Sequence, residues 1–230
     1  MSAHVIINIE GNIGTGKSTI LSELKKTLEI KYPDDVLFLT EPVDKWDNIK
    51  DSQDISILKH FYQDSNKYAF PFQIMACCTR ISNLKNAINN NPNCKIIICE
   101  RSIEADANIF AQMLYDDNVM NEMEHKIYRL FYDEHKDLYK ANGYIYLDSN
   151  ADVCLERIKM RSRDGESNIP IEYLQRCQNY HDKWLKNTNM STNVLILDTN
   201  KNVTYNNDDG NVWITKIVNF INDVVSDQTL

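Results

Sequence analysis

Positive charge is in short supply in this chain. Its 230 residues carry 25 Lys and Arg against 33 Asp and Glu, a formal charge of −8, so the surface repels polyanions and nonspecific nucleic-acid binding is disfavoured. Any phosphate the protein holds must be held locally. The six cysteines include no C-x-x-C pair, and several fall within apolar runs, so they read as reduced core thiols of an intracellular protein. No apolar run approaches membrane-spanning length, and no membrane role is expected. The first strand pattern begins at Val5, which leads us to expect no cleavable leader and a cytoplasmic location. No internal repeat or linker stands out. A hydrophobic content of 43% with 25% charged residues suits one α/β domain spanning residues 1–230.

Glycine is scarce too, with six in all, yet Gly11, Gly14 and Gly16 lie together. Residues 11–18 read Gly-Asn-Ile-Gly-Thr-Gly-Lys-Ser, between an apolar run at Val5 to Ile9 and a helix-patterned stretch. This is the G-x-x-x-x-G-K-[ST] phosphate loop in its strand-to-helix setting. Glycines let the backbone wrap an anion, and successive N–H groups and the helix N-terminus face the phosphates. Gly11, Asn12, Ile13, Gly14, Thr15, Gly16, Lys17, Ser18 and Thr19 are therefore expected to bind a nucleoside triphosphate such as ATP. Lys17 belongs on the β and γ phosphates and the Ser18 hydroxyl on Mg2+.

Strand-like runs recur at Val5 to Ile9, Val36 to Leu39, Lys95 to Cys99, Tyr144 to Leu147 and Val194 to Leu197. Helix-period segments alternate with them, at Ser18 to Ile30, Phe72 to Asn89, Ile103 to Tyr115, Met120 to Tyr139, Ala151 to Arg161, Ile171 to Trp184 and Val212 to Val225. Short, nearly continuous apolar strands alternating with helices imply a five-stranded parallel sheet covered on both faces. Ligands of such sheets bind beyond the carboxyl ends of the strands.

Two of those ends carry chemistry. The second strand runs into Thr40-Glu41-Pro42, and the third ends in Cys99-Glu100-Arg101-Ser102. A carboxylate at Glu41 can take a proton from a hydroxyl. Glu100 can offer oxygen to a metal, and Arg101 can meet the charge of a migrating phosphoryl bidentately. Arg157 and Arg161 share a helix face and, with Arg163, precede an acidic, glycine-containing loop. Three arginines there suggest a lid of about residues 157–168 that closes over the triphosphate and excludes water.

From Val5 to about Asp198 the sequence resembles the deoxyribonucleoside kinases of the deoxycytidine and deoxyguanosine kinase type. The markers are Gly11 to Thr19, Glu41-Pro42 with Trp46, Phe72-Gln73 with Arg80, Glu100-Arg101-Ser102 with Asp106, and Arg157 to Glu166 followed by Ile169 to Leu174. The resemblance implies a phosphate-loop kinase fold, a homodimer, and transfer of a γ-phosphoryl to a deoxynucleoside 5′-hydroxyl for nucleotide salvage. It implies Glu41 as general base, with Arg101 holding both Glu41 and the phosphoryl, and Glu100 as the magnesium-side acid. Tyr62 and Glu166 fall where the family grips the sugar 3′-hydroxyl. Gln73, Arg80 and Asp106 fall on the base-reading edge, Phe72 and Phe110 flank the base, and Trp46 lines the pocket. Met75, Ala107 and Gly165 depart from the family pattern. The combination of Ala76, Arg80 and Asp106 resembles kinases for deoxycytidine and deoxypurines more than for thymidine.

Three rivals share the phosphate loop. A regulatory GTPase requires N-K-x-D and D-x-x-G, and neither occurs. A nucleoside monophosphate kinase requires extra basic residues for the acceptor phosphate, where this chain has the acidic Glu41. A nucleotide-binding scaffold without turnover has no need of Glu41 and Arg101, and both are present.

Overall fold

The computed structural model describes residues 4–228 apart from 162, 164–165, 167–168, 188–191 and 206–207. Strand β1 (Val5–Gly11) is buried along its whole length and forms the middle of a parallel sheet. The others are β2 (Val36–Leu39), β3 (Ile96–Glu100), β4 (Gly143–Asp148) and β5 (Asn193–Asp198), in the order β2-β3-β1-β4-β5. Ile9 lies level with Glu100, and Gly11 with Leu147. The phosphate loop, the Glu41 segment and the Glu100-Arg101 corner therefore leave the sheet along one rim.

On one face, α1 (Lys17–Lys31) and α10 (Asp208–Asp227) pack Ile20, Leu24, Leu28, Ile217 and Ile221 onto Ile7 and Ile9. Beyond the rim, α3 (Ile57–Gln63), α4 (Ser65–Asn90) and α7 (Glu122–Asp133) build a second apolar cluster around Phe61, Phe72, Cys77 and Tyr128. The helices α8 (Ala151–Arg161) and α9 (Ile171–Leu185) bury Cys154, Ile158 and Leu174 beside β4. No described helix is long and apolar enough to cross a membrane.

Several elements differ from the sequence reading. The helix expected from Phe72 starts at Ser65, because Asp64 caps it by accepting from the Lys67 N–H, and it runs on through Pro71 in its second turn, where proline supplies no N–H to the i−4 carbonyl. The helix expected from Met120 to Tyr139 is trimmed to α7, which Asn121 and Glu124 begin with a reciprocal capping box. Residues 43–63, left unassigned by periodicity, hold α2 (Val43–Asp47) and α3. The helix expected from Ile103 to Tyr115 is three pieces, α5 (Ile103–Ala105), a π-helical segment (Asp106–Ala111) and α6 (Gln112–Asp116). All six thiols are free, but Cys78 is exposed rather than in the core.

Candidate active site

At Gly11 and Gly14 the phosphate loop is shaped by contacts that leave no room for a side chain. Gly14 has φ 85°, and a Cβ there would stand 2.6 Å from the Cys154 carbonyl oxygen on α8. Only glycine meets both demands. Asn12 ties the loop to α9 by donating Nδ2 to the Leu174 carbonyl at 2.8 Å. The Lys17 ammonium, buried at the start of α1, donates to the carbonyls of Gly11 (3.1 Å) and Asn12 (2.9 Å). Burial and the neighbouring Arg101 lower its pKa to about 8.

At the next residue, the Ser18 hydroxyl donates to Glu100 Oε1 at 2.6 Å. Two oxygens so close suit a hard divalent cation that keeps phosphate and water as its remaining ligands. Among the described residues no cluster of three His, Cys, Asp or Glu side chains offers a fuller metal cage. The residues present therefore fit magnesium carried in with a triphosphate.

Across the rim, Glu41 accepts from Arg80 Nη2 at 2.5 Å, and Arg101 Nε lies 3.4 Å from the same oxygen. Burial alone would raise the Glu41 carboxyl, but Arg80 and Arg101 outweigh it and hold the pKa at about 2. Arg80 Nε donates to Asp106 at 2.9 Å, so this arginine bridges the two carboxylates. Arg101 adopts φ 68°, a left-handed conformation that costs a non-glycine residue about 1–2 kcal/mol. It is held there by its N–H on the Ile9 carbonyl and Nη2 on the Gly11 carbonyl, both at 3.0 Å, with its guanidinium 4.7 Å from the Phe110 ring centre.

The acceptor end is aromatic. Phe61 stacks on Phe72 at 4.6 Å, Trp46 meets Phe72 edge-on at 5.5 Å, and the Trp46 indole donates to Thr79. Gln73 is 2% exposed, and its Oε1 has no partner among the described residues. Burial raises the Tyr62 pKa, with Glu166 and Glu41 adding to the effect, so its hydroxyl keeps its proton.

A cavity of about 510 Å³ joins these groups. It runs from the phosphate loop past Glu41 and Arg101 to Phe72, Gln73, Arg80, Asp106 and Phe110. Of the residues the sequence nominated, Gly11 and Asn12 do not line it, and their carbonyls hold Lys17 instead.

The arginine cluster differs from a simple phosphate clamp. Arg161 and Arg163 both pair with Glu166, which is 4% exposed. Arg157 fastens the segment after β5 to the loop, donating to the carbonyls of Thr199 (2.8 Å), Lys201 (3.1 Å) and Thr15 (3.4 Å). Residues 162, 164, 165, 167 and 168 of the expected lid, including the Gly165 departure, lie outside the described residues. Sequence reasoning missed Phe61, Tyr173, Tyr205 and Trp213 on the cavity wall. Tyr205 sits in an Asn- and Asp-rich stretch, where a lone aromatic was the available signal.

A phosphate loop facing an ionised carboxylate and an aromatic slot is the layout of a phosphotransferase with a flat, neutral acceptor. The family model described as deoxynucleoside kinase matches residues 7–222. The chain is 32% identical over 222 residues to deoxycytidine kinase of Homo sapiens, covering 85% of this chain and 84% of that one. It is 32% identical over 192 residues to a probable deoxycytidine kinase of fowlpox virus (82% and 75% covered). It is 30% identical over 197 residues to the mitochondrial deoxyguanosine kinase of Xenopus laevis (78% and 72% covered). With rim, loop and acceptor slot in one cavity and a family match over nearly the whole chain, this protein belongs to the deoxynucleoside kinase family and is itself a deoxynucleoside kinase.

Proposed function

We propose that the single domain moves the γ-phosphoryl of ATP, or another nucleoside triphosphate, to the 5′-hydroxyl of deoxycytidine, deoxyguanosine or deoxyadenosine in preference to thymidine. The observation that carries this reading is the pairing at the acceptor end. The two arginines there, Arg80 and Arg101, face two carboxylates, Glu41 and Asp106, which leaves no surplus charge for an acceptor phosphate and suits a neutral nucleoside. The relatives' names, deoxycytidine and deoxyguanosine kinase, support the choice of bases.

In this reading Glu41 is ionised at neutral pH, accepts a hydrogen bond from the 5′-hydroxyl and receives its proton as the oxygen attacks phosphorus. Arg101 meets the charge that spreads over the migrating phosphoryl, and Lys17 exchanges its two carbonyl partners for phosphate oxygens. Ser18 and Glu100 hold Mg2+, whose chemistry is to neutralise phosphate charge. Gln73, Arg80 and Asp106 read the base between Phe72 and Phe110, with Trp46 on the wall, and Tyr62 and Glu166 meet the sugar 3′-hydroxyl. Arg157, Arg161 and Arg163 supply a lid over the triphosphate. Salvage of DNA precursors in the cytoplasm is the matching role. A homodimer is supported by Met123, Ile127 and Leu130, which form an exposed apolar stripe at helical spacing on α7.

Incubation with each of the four deoxynucleosides, their monophosphates, Mg2+ and labelled ATP tests this. Label in deoxycytidine or deoxypurine products is expected. Label only in diphosphates indicates a monophosphate kinase, and no transfer at all indicates a scaffold.

A further inference from the structure

Glu10, the penultimate residue of β1, is a carboxylate where the strand otherwise buries almost only aliphatic side chains, and it is completely buried. It does not line the substrate cavity. Its Oε1 accepts from the Ser102 N–H at 2.8 Å, directly after Arg101 with its left-handed backbone. Its Oε2 lies 3.9 Å from Arg101 Nη1, and neither of those atoms has a hydrogen-bond partner among the described residues. The other two nitrogens of that guanidinium are taken up, Nη2 by the Gly11 carbonyl and Nε by its approach to Glu41. Glu10 thus grips the corner twice, by the main chain behind Arg101 and by the one nitrogen the cavity side leaves over.

We infer that Glu10 is a positioning residue for phosphoryl transfer, fixing the Arg101 backbone turn and the plane of its guanidinium from behind the site. The two buried orphan atoms give the acid something to hold. A buried carboxyl oxygen and a buried N–H left apart at 3.9 Å are each costly, and a small rotation of the guanidinium joins them. The inference rests on Arg101 meeting the migrating phosphoryl, as proposed above. Because that charge develops only during transfer, a misaligned guanidinium slows turnover while leaving ground-state binding of both substrates in place.

The test is a double-mutant cycle of Glu10→Gln and Arg101→Lys, reading kcat and KM for deoxynucleoside and ATP together with the thermal midpoint. Glutamine keeps the shape and an acceptor for the Ser102 N–H but removes the charge facing Nη1. Glu10→Gln is expected to lower kcat by about ten- to a hundredfold, the range for losing a charged hydrogen-bond partner, with both KM values within about threefold. In the Arg101→Lys background the same change is expected to cost less than about threefold, because the group it acts through is gone. An undiminished loss in that background overturns the inference, as does an unchanged kcat in Glu10→Gln alone. If Arg101→Lys itself leaves kcat unchanged, the catalytic reading of Arg101 falls, and this inference falls with it. Should the glutamine variant not fold, Glu10→Asp withdraws the carboxylate by one methylene and serves in the same cycle. Its kcat is expected to drop with KM steady, and an unchanged kcat overturns the inference.

Discussion

Lys17 donates to the carbonyls of its own loop, and that sets what its removal should do. Lys17→Ala is expected to abolish phosphoryl transfer while the circular dichroism spectrum stays native, since its partners are loop carbonyls that water can satisfy. Its pKa of about 8 adds a pH signature. The triphosphate dissociation constant should be steady up to about pH 8 and rise above it, as the ammonium that meets the phosphates loses its proton. Titration calorimetry across pH 7 to 9.5 checks this. Glu41→Gln is expected to keep nucleoside binding and lower kcat by about 10² to 10⁴, the usual contribution of a positioned base. At this scale the sequence was most legible where a motif constrains it. Lys17, Ser18, Glu41, Glu100 and Arg101 could be nominated because their spacing from strand ends is readable. The pairing of Arg161 and Arg163 with Glu166 could not, since it depends on how the chain doubles back after α8.

Among the elements, the π-helical segment has the most direct bearing on specificity. In this widened segment Asp106 and Phe110, four residues apart, both line the cavity while Ile109 and Ala105 pack against Cys177. Periodicity at 3.6 residues foresaw a helix there but not this widening, because one extra residue per turn barely disturbs a short apolar pattern. The strands were legible to within a residue or two, since each is a short apolar run bounded by turn residues. Helices α2 and α3 were not, because their mixed sequence buries only Trp46, Leu58 and Phe61. The contact between α4 and the π segment gives the base-choice prediction. Replacing Arg80 alone leaves the buried Asp106 without its partner and is expected to cost about 3–5 kcal/mol of stability, whereas replacing Asp106 alone leaves Arg80 paired with Glu41 and should cost less. The double change Arg80→Met with Asp106→Ala should be milder, and should raise the thymidine-to-deoxycytidine ratio of kcat/KM by at least about tenfold, or 1.4 kcal/mol. Because Arg80 also holds Glu41, kcat should fall for every base, so the ratio is the diagnostic quantity.

For the molecule as a whole, Glu104 makes stability depend on pH in an uncommon sense. Burial lifts its pKa from 4.5 to about 7, against the opposing pull of the Ala141 N–H. Between those two values the folded state holds a proton that the unfolded chain releases. Its contribution is therefore complete below about pH 4.5 and is lost as pH rises through 7, amounting to about 3 kcal/mol. Glu104→Gln should be more stable than the parent at pH 8 and level with it near pH 4.5, and the difference between the two urea-unfolding curves isolates this group from the other titrations. The sheet order has a consequence for synthesis rather than catalysis. The central strand is the first to be made, yet its two neighbours are β3, beginning at Ile96, and β4, beginning at Gly143. Until β4 has left the ribosome β1 has one open edge, and until β3 has done so it has no sheet partner at all. A nascent chain stalled within that interval exposes a largely aliphatic ribbon interrupted by Asn8 and Glu10, and its company is then chosen by the cell's chaperones and not by the fold.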